Sequence, residues 1–385
     1  MDIVLCVTGS VAATQSIKLA REFKREGHNV TCFMTEEACK IIHPNAMEFA
    51  TGNKVVLELT GAIEHVRYSQ LDLVLVAPAT ANCISKFTYK IADNPVNTLL
   101  ITAYGHNTPI LFVPSMHDSM YSAIKENIEK VKSTNVNFMS PRMDEGKAKF
   151  PFIKDIILES VRMVNINKED NPFKNKKILI SLGGTYEPID PIRGISNKSS
   201  GKMGLELAKQ AYMRGSDLTI LKAQTTVEVP QIFNTILTET TEKMNKEAID
   251  LIPTQDIFIA TAAVSDFKPL KKENKKISSD FDLALDFKPV DKIIKNIKSL
   301  NKEIFLVGFK AEYNISDDDL ISSAKKQIEF AGTDLVVAND VAREGCEFGS
   351  DNNEVILIND NVKKLDFSSK KLLAKIIFDE IENLM

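Results

Sequence analysis

One pattern occurs twice in this chain and limits its fold more than any other feature. A short apolar strand meets a glycine turn, an amphipathic helix follows and stops at glycine, and a second strand comes next. In the first half, residues 3–7 lead to Thr8, Gly9 and Ser10, a helical pattern through Ile17, Ala20 and Phe23 stops at Gly27, and a strand follows at 30–34. In the second half, residues 178–182 lead into Gly183 and Gly184, a helical pattern restarts at Met203 and stops at Gly215, and a strand follows at 218–221. Such units pack as parallel strands covered by helices, so two doubly wound α/β domains are predicted. Further buried strands are expected at 71–76 and 109–113, and at 256–260, 304–307 and 334–337. Small or polar residues follow each, and ligands of open parallel sheets sit beyond the carboxyl ends of the strands. A chain of 385 residues is too long for one ordinary core. The polar stretch NINKEDNPFKNK at 165–176 reads as the linker between domains at 1–164 and 177–385.

The totals exclude several classes. A net charge of -4 argues against a general nucleic-acid binder, whose affinity for phosphate backbones comes from clustered excess Lys and Arg. The five cysteines Cys6, Cys32, Cys39, Cys83 and Cys346 contain no C-x-x-C pair, so neither a disulfide framework nor a zinc site is suggested. A strand pattern begins at Asp2 with no signal segment before it, and no apolar run reaches the roughly 18 residues of a membrane span. A cytoplasmic protein that touches no membrane is expected.

The stretch 183–204, GGTYEPIDPIRGISNKSSGKMG, joins a strand to a helix. Its glycines let backbone amides approach an anion, and the helix start adds unpaired N–H groups and a positive dipole end. Arg193, Lys198 and Lys202 add full charges, while Ser196, Asn197, Ser199 and Ser200 add hydrogen-bonding groups without bulk. A loop that merely capped a helix would need one or two of these residues; the whole combination suits phosphate and carboxylate. The stretch resembles the signature of the phosphopantothenate-cysteine ligase family. The whole chain resembles the bifunctional phosphopantothenoylcysteine decarboxylase and ligase family of coenzyme A synthesis. That resemblance implies a flavodoxin-like flavoprotein domain at 1–164 followed by a ligase domain at 177–385, both Rossmann-like. It also implies FMN and Mg2+ as cofactors, and phosphopantothenate, cysteine and CTP as small-molecule partners. The sequence identifies no metal ligands.

In the first domain, TGSVAA at 8–13 places Gly9 and Ser10 where amides and a hydroxyl can meet a phosphate. After the strand at 71–76 comes APATAN at 77–82, whose small residues would let a flat ring lie against the backbone. The order TGSVAA, APATAN and the turn Ala92, Asp93, Asn94 is similar to flavin-containing cysteine decarboxylases, which bind FMN between subunits. The flavin set implied is Gly9, Ser10, Thr35, Ala77, Thr80 and Asn82. By position His65 matches the family's catalytic histidine, and an imidazole can move a proton near neutral pH. PSMHDSMY at 114–121 matches the substrate-recognition motif through Met116, with His117 where the family carries asparagine. His117 is thus a substrate-binding or catalytic candidate. The resemblance implies oxidation of the cysteine thiol to a thioaldehyde, loss of carbon dioxide and reduction of the enethiol. Relatives use a flap cysteine as proton donor, whereas SPRMDEGKAKFP at 140–151 has none. Ser140 stands opposite it but is a far weaker acid. Asp144, Glu145 or Lys147 could close over the site, and the sequence does not choose among them.

In the second domain the resemblance implies an acyl-cytidylate, made from phosphopantothenate and CTP and opened by the cysteine amine. Asn197 matches the family asparagine needed when the acyl-cytidylate is consumed, and Arg193 the arginine of the same site. ATAAVSD at 260–266 resembles a nucleotide-contacting motif, which brings in Ala260 and Thr261, with Ala262 close to the base and Asp266 a ribose or metal contact. Lys276 matches the first lysine of a K-I-K-K motif, a choice for charge stabilisation at the phosphate. FKPVDKI at 287–293 loosely resembles an N-P-D-I stretch, bringing in Lys288, Pro289 and Asp291. Gly308, Phe309 and Glu312 match, as do Ala338, Asn339 and Asp340. Relatives place lysines where this chain has Gln327 and Ala331, which leaves Lys325 or Lys326 to substitute from a neighbouring turn. With Gly183, Gly184, Ser199, Ser200 and Lys202, these complete the expected substrate and nucleotide set. Family members pair their ligase domains and assemble flavin domains as trimers, so a homo-oligomer, up to a dodecamer, is implied. A flavoprotein of another class, such as a flavin prenyltransferase, and a non-enzymatic flavin-binding regulatory subunit are the alternatives.

Overall fold

The computed structural model describes residues 1–144, 147–279 and 283–385, and its backbone divides into two compact units, Met1–Asn171 and Pro172–Met385. In the first unit β1 (Asp2–Val7), β2 (Asn29–Met34), β3 (Leu73–Ala79), β4 (Ile110–Pro114) and β5 (Val136–Phe138) form one parallel sheet. The order is β2-β1-β3-β4-β5, which reverses direction beside β1 and so opens a crevice at the β1/β3 strand ends. The strands read as near-continuous apolar runs because helices cover both faces. Residues 3–7 and 73–79 are fully buried, and each Val, Leu, Ile or Phe contributes about 1.5–3 kcal/mol by leaving water.

Two expectations shift here. The strand expected at 71–76 starts two residues later and runs through Ala77, Pro78 and Ala79, so half of APATAN is strand rather than loop. Its register against β4 shifts between Val76 and Ala79, where the Ala77–Pro78 bond is cis, and proline has no N–H to offer the ladder. A small antiparallel hairpin, β6 (Arg142–Asp144) with β7 (Lys147–Lys149), follows the sheet. The helix Ile153–Ile166 runs into the stretch read as linker.

The second unit contains, in chain order, β8 (Lys177–Leu182), β9 (Tyr186–Pro188), β10 (Gly194–Ser196), β11 (Asp217–Lys222), β12 (Asn234–Leu237), β13 (Ile257–Ala260), β14 (Phe267–Pro269), β15 (Phe287–Pro289), β16 (Phe305–Glu312), β17 (Leu335–Asp340), β18 (Asn352–Ile358) and β19 (Val362–Ser369). Its main sheet has the order β12-β11-β8-β13-β16-β17-β18-β19. The first six strands are parallel and the last two add on antiparallel. That antiparallel edge was not foreseen; β19 alternates weakly and lies mostly exposed, which hides it from a search for buried strands. Strands expected at 304–307 and 334–337 extend to Glu312 and Asp340, because β16 and β17 stay paired from Val307–Leu335 to Glu312–Asp340. Phe309 and Asn339 therefore project from strands, not from the loops after them.

Candidate active site

In the second unit the glycine stretch ties strand ends together before it meets any ligand. Gly183 has φ +89, and a Cβ there would lie 2.3 Å from the Gln224 carbonyl oxygen. Gly184 donates its N–H to Gln224 O at 2.9 Å, and Gly183 O accepts from Ala263 N at 2.8 Å. These glycines serve close backbone packing, and neither lines the cavity described next.

Beyond β10 the loop turns at Gly201, and the helix Lys202–Met213 begins there; Ser200 Oγ accepts from Lys202 N at 3.4 Å, and Gly201 offers no side chain to cap the amides that follow. Gly204 seats this helix on the sheet, since a Cβ there would stand 2.5 Å from Thr261 Oγ1 and 2.6 Å from Leu182 Cβ. Uncapped first-turn N–H groups carry the positive end of the helix dipole, which suits an anion. Asn197 Nδ2 donates to the carbonyls of Ala263 (3.2 Å) and Val264 (3.3 Å), clipping the loop to the segment after β13.

The result is a cavity of about 990 Å³. From the expected set it gathers Asn197, Ser199, Ser200 and Lys202 on one side and Ala260, Thr261, Ala262 and Asp266 on another. Asp291, Phe309 and Asn339 complete the expected residues that line it. Lys326 and Gln327 also face it, and Gln327 Nε2 lies over Gly308, where a Cβ would be 2.1 Å away. Asp266 pairs with Lys292 at 3.4 Å.

Five expected residues stand elsewhere. Arg193 turns its guanidinium onto Asp190 (Nη2 to Oδ2, 2.6 Å) and onto the Ile277 carbonyl at 2.7 Å, so it ties two loops together. Asp190 also accepts from the amides of Ile192, Arg193 and Ile277. Burial works to raise its pKa, but Arg193 and these amides outweigh it and hold the carboxyl well below the usual range. Lys276, beside this anchor, is exposed and does not line the cavity. Lys288 and Pro289 sit exposed on β15, which pairs with β14. Asp340 is buried and accepts from Asn314 N (2.8 Å) and Ala342 N (2.9 Å), which anchors the turn after β17 instead of facing the cavity.

Residues that the sequence did not single out also line the cavity, among them Lys370, Phe348 and Lys310. Lys370 opens the last helix behind its cap Ser369, a place where a sequence reading expects acids, so no periodicity marks it.

In the first unit the ends of β1, β3 and β4 are laced by side chains. Thr8 Oγ1 donates to Pro78 O at 2.8 Å and accepts from Thr80 N at 3.1 Å. Ser115 N donates to Ala79 O at 3.0 Å, and the hydroxyls of Ser10 and Ser115 lie 3.1 Å apart. Ser16 Oγ donates to Ala77 O. Ser10, Ala77 and Thr80 therefore share one edge, and Thr35 N reaches back to Val7 O at the same end of the sheet. Gly9 is required by packing, because a Cβ would meet Glu37 Cβ at 2.4 Å. Asn82 is exposed on the helix Ala81–Thr88.

The helix Ala13–Arg25 starts without a side-chain cap, in contrast to the helices capped by Thr35, Thr80, Asn94 and His117. Part-exposed serine hydroxyls beside a helix start without a side-chain cap fit the phosphate of FMN, whereas Ala77, expected along the ring, is fully buried in β3. His65 is half-buried on the helix Glu64–Tyr68, and its Nδ1 is buried with no hydrogen-bond partner. His117 is exposed and caps its own helix, with Nδ1 2.9 Å from Ser119 Oγ. Met116 is half-buried against the core. Glu145, and the side chains of Asp144 and Lys147, lie outside the described residues. Cys83 offers no replacement for the absent flap thiol, since it is buried, bonded to Asn97 Oδ1 at 3.3 Å and pushed up to about 12 by burial.

Residues 1–165 match the Flavoprotein family, and residues 173–385 match the DNA/pantothenate metabolism flavoprotein C-terminal domain. A flavoprotein-type unit followed by that domain defines the class. The chain is 46% identical to the coenzyme A biosynthesis bifunctional protein CoaBC of Thermococcus kodakarensis, over 100% of this chain and 95% of that protein. It is 39% identical to the CoaBC protein of Methanocaldococcus jannaschii, over 97% and 92% respectively. The DNA/pantothenate metabolism flavoprotein structure from Streptococcus pneumoniae superposes with a TM-score of 0.50 at 25% identity, covering 55% of this chain and 100% of that one. The chain belongs to the family of coenzyme A biosynthesis bifunctional proteins. Among the described residues no helix is long and apolar enough to cross a membrane.

Proposed function

We propose that residues 177–385 join phosphopantothenate to cysteine at the expense of CTP, and that residues 1–164 decarboxylate the product with FMN, the stretch 165–176 linking them. The observation that carries this reading is the second-unit cavity, where Asn197 bridges the glycine loop to a segment 66 residues away and assembles one anion-binding wall. A carboxylate oxygen of phosphopantothenate attacks the α-phosphorus of CTP, a C(O)–O–P link forms, and pyrophosphate leaves with the electron pair. The cysteine amine then attacks the acyl carbon, the C–O bond breaks, CMP departs and the amine proton passes to water. The first-turn amides of the helix Lys202–Met213 and the hydroxyls of Ser199 and Ser200 hold phosphate oxygens, acting where charge develops. Asn197 spends its N–H groups on two carbonyls, which leaves its Oδ1 to accept from the attacking amine. Mg2+ bound with the triphosphate would be held by Asp266 and Asp291, which face the cavity, and would neutralise phosphate charge, since it commonly takes one or two carboxylates plus substrate phosphates.

In the first unit Ser10, Ser115 and the start of the helix Ala13–Arg25 would hold the FMN phosphate, with Thr80, part-exposed at the end of β3, beside the ring. The bound flavin would supply two-electron oxidation of the substrate thiol and return the electrons after carbon dioxide is lost. His65 Nδ1, free of protein partners, takes and returns the proton. Exposed apolar residues such as Val11 (80%) and Phe49 (76%) support assembly with further copies, namely trimers of the flavin domain and pairs of ligase domains, up to a dodecamer. Buried free thiols at Cys6, Cys32 and Cys83 support a cytoplasmic setting.

Mass spectrometry of the purified protein with phosphopantothenate, cysteine, Mg2+ and either CTP or ATP tests the reading, after the bound flavin has been identified. Phosphopantetheine formed with CTP is the expected result. No coupled product with either nucleotide, from folded and flavin-loaded protein, would overturn it.

A further inference from the structure

Three segments distant in sequence meet at the rim of the cavity. The loop 345–351, reading GCEFGSD, turns at Gly345 (φ +77) and Gly349 (φ +94) and carries Phe348 over the rim. Lys202, first residue of its helix, donates through Nζ to Gly349 O at 2.5 Å and to Asp351 Oδ1 at 2.7 Å. Lys370, first residue of the helix Lys370–Leu384, donates through Nζ to Ser350 O. Both lysines line the cavity, and Lys370 is only 8% exposed.

This arrangement is electrostatically unbalanced. A cation at the first position of a helix faces the positive end of the dipole, and a buried ammonium loses hydration that one carbonyl does not replace. The carboxylate at hand, Asp351, is engaged by Lys202, and its side chain is 84% exposed. Glu347 is the other acid of the loop that faces the cavity, while Arg343 is committed to Asp317 and Glu354. Burial lowers the pKa of Lys370 and the charge of Lys202 lowers it further, while Asp351 offsets them only in part, so the two ammoniums share too little negative charge. Ser199, Ser200 and the uncapped amides of the helix Lys202–Met213 face the same space. An anion that spans them all must be long, polyoxygenated and more than singly charged, as the terminal diphosphate of a nucleoside triphosphate is.

We infer that Lys370 and Lys202 form the site for the terminal diphosphate of the nucleotide, and that the phosphate takes Lys202 over from Asp351 on the loop 345–351. The inference rests on the proposed nucleotide-dependent ligation. It assigns a binding role to the final helix, and it gives the loop 345–351 two arrangements, one held by the lysines and one released by the anion. The pyrophosphate set free by attack on the α-phosphorus would depart from this same place.

Calorimetry on the full-length protein with inorganic tripolyphosphate, CTP and CMP tests it. Lys370→Gln should weaken tripolyphosphate and CTP about tenfold, or about 1.4 kcal/mol, and leave CMP unchanged. Lys370→Arg, which keeps the charge, should recover part of the loss. In the unmutated protein, tripolyphosphate should alter amide hydrogen exchange across 345–351 and CMP should not, a readout that needs no variant to fold. Equal loss of CMP and CTP in Lys370→Gln, unchanged binding of both, or exchange at 345–351 indifferent to tripolyphosphate would each overturn the inference. Should tripolyphosphate bind with the expected Lys370 dependence while neither CTP nor ATP binds, the nucleotide reading fails and the anion site stands.

Discussion

At the scale of single residues, Gly183, Gly184, Asp190 and Asp340 do structural work around the site. Gly183 is held at positive φ against the Gln224 carbonyl, so Gly183→Ala combines backbone strain with a clash. The expected cost is about 2–3 kcal/mol, read as a lower urea midpoint for the second unit, with loss of ligation. Asp190 gives a pH prediction. Its folded pKa is depressed, so its contribution to stability is present above the unfolded carboxylate value of about 3.9 and is lost as pH falls below it toward the folded value. Because Asp190 Oδ2 accepts from the Ile277 amide at 3.2 Å, the protection of that amide relative to its intrinsic exchange rate at each pH should fall on acidification through this window. In Asp190→Asn, exchange should already be fast at neutral pH. Equal protection in both proteins would show that the anchor does not hold the loop that carries Lys276.

Elements explain how a histidine can stand where the resemblance implies asparagine. His117 begins the helix Asp118–Ala123 and caps it through Nδ1, which accepts from Ser119 N. Asparagine is among the best residues at this position and caps through its side-chain oxygen, so the two side chains share a task. His117→Asn should keep flavin content and most of the decarboxylation rate. His117→Ala should lower stability by about 1 kcal/mol through loss of the cap. Thermal melts and turnover of the two variants, measured side by side, separate capping from chemistry. A collapse of activity in His117→Asn at unchanged stability would assign the imidazole a direct role.

On the scale of the molecule, each unit has its own core and its own cluster of candidate residues, so the two activities should be separable. His65→Ala should stop decarboxylation of supplied phosphopantothenoylcysteine and leave its synthesis intact, while Asn197→Ala should do the reverse; coupled loss of both activities would contradict independent sites. The repeated strand, glycine turn and helix made the doubly wound class legible, because apolar runs and glycine stops are local consequences of burial and backbone freedom. The loop around Asn197 was legible too, since phosphate chemistry demands a dense and unusual mix of glycine, hydroxyl and cation. Periodicity could not mark β19, which lies largely in solvent, or the extensions of β16 and β17, which depend on pairing with each other. Composition could not separate Gly183, Gly184 and Arg193, which serve packing and the anchoring of the buried Asp190 carboxylate, from Ser199, Ser200 and Lys202, which line the cavity. The sequence by itself determined the fold class and the family, because both rest on patterns carried within short stretches of chain. Only the tertiary structure decided which lysines face the cavity, bringing Lys370 to Lys202 and leaving Lys276 outside, because burial and electrostatic proximity arise when distant segments pack.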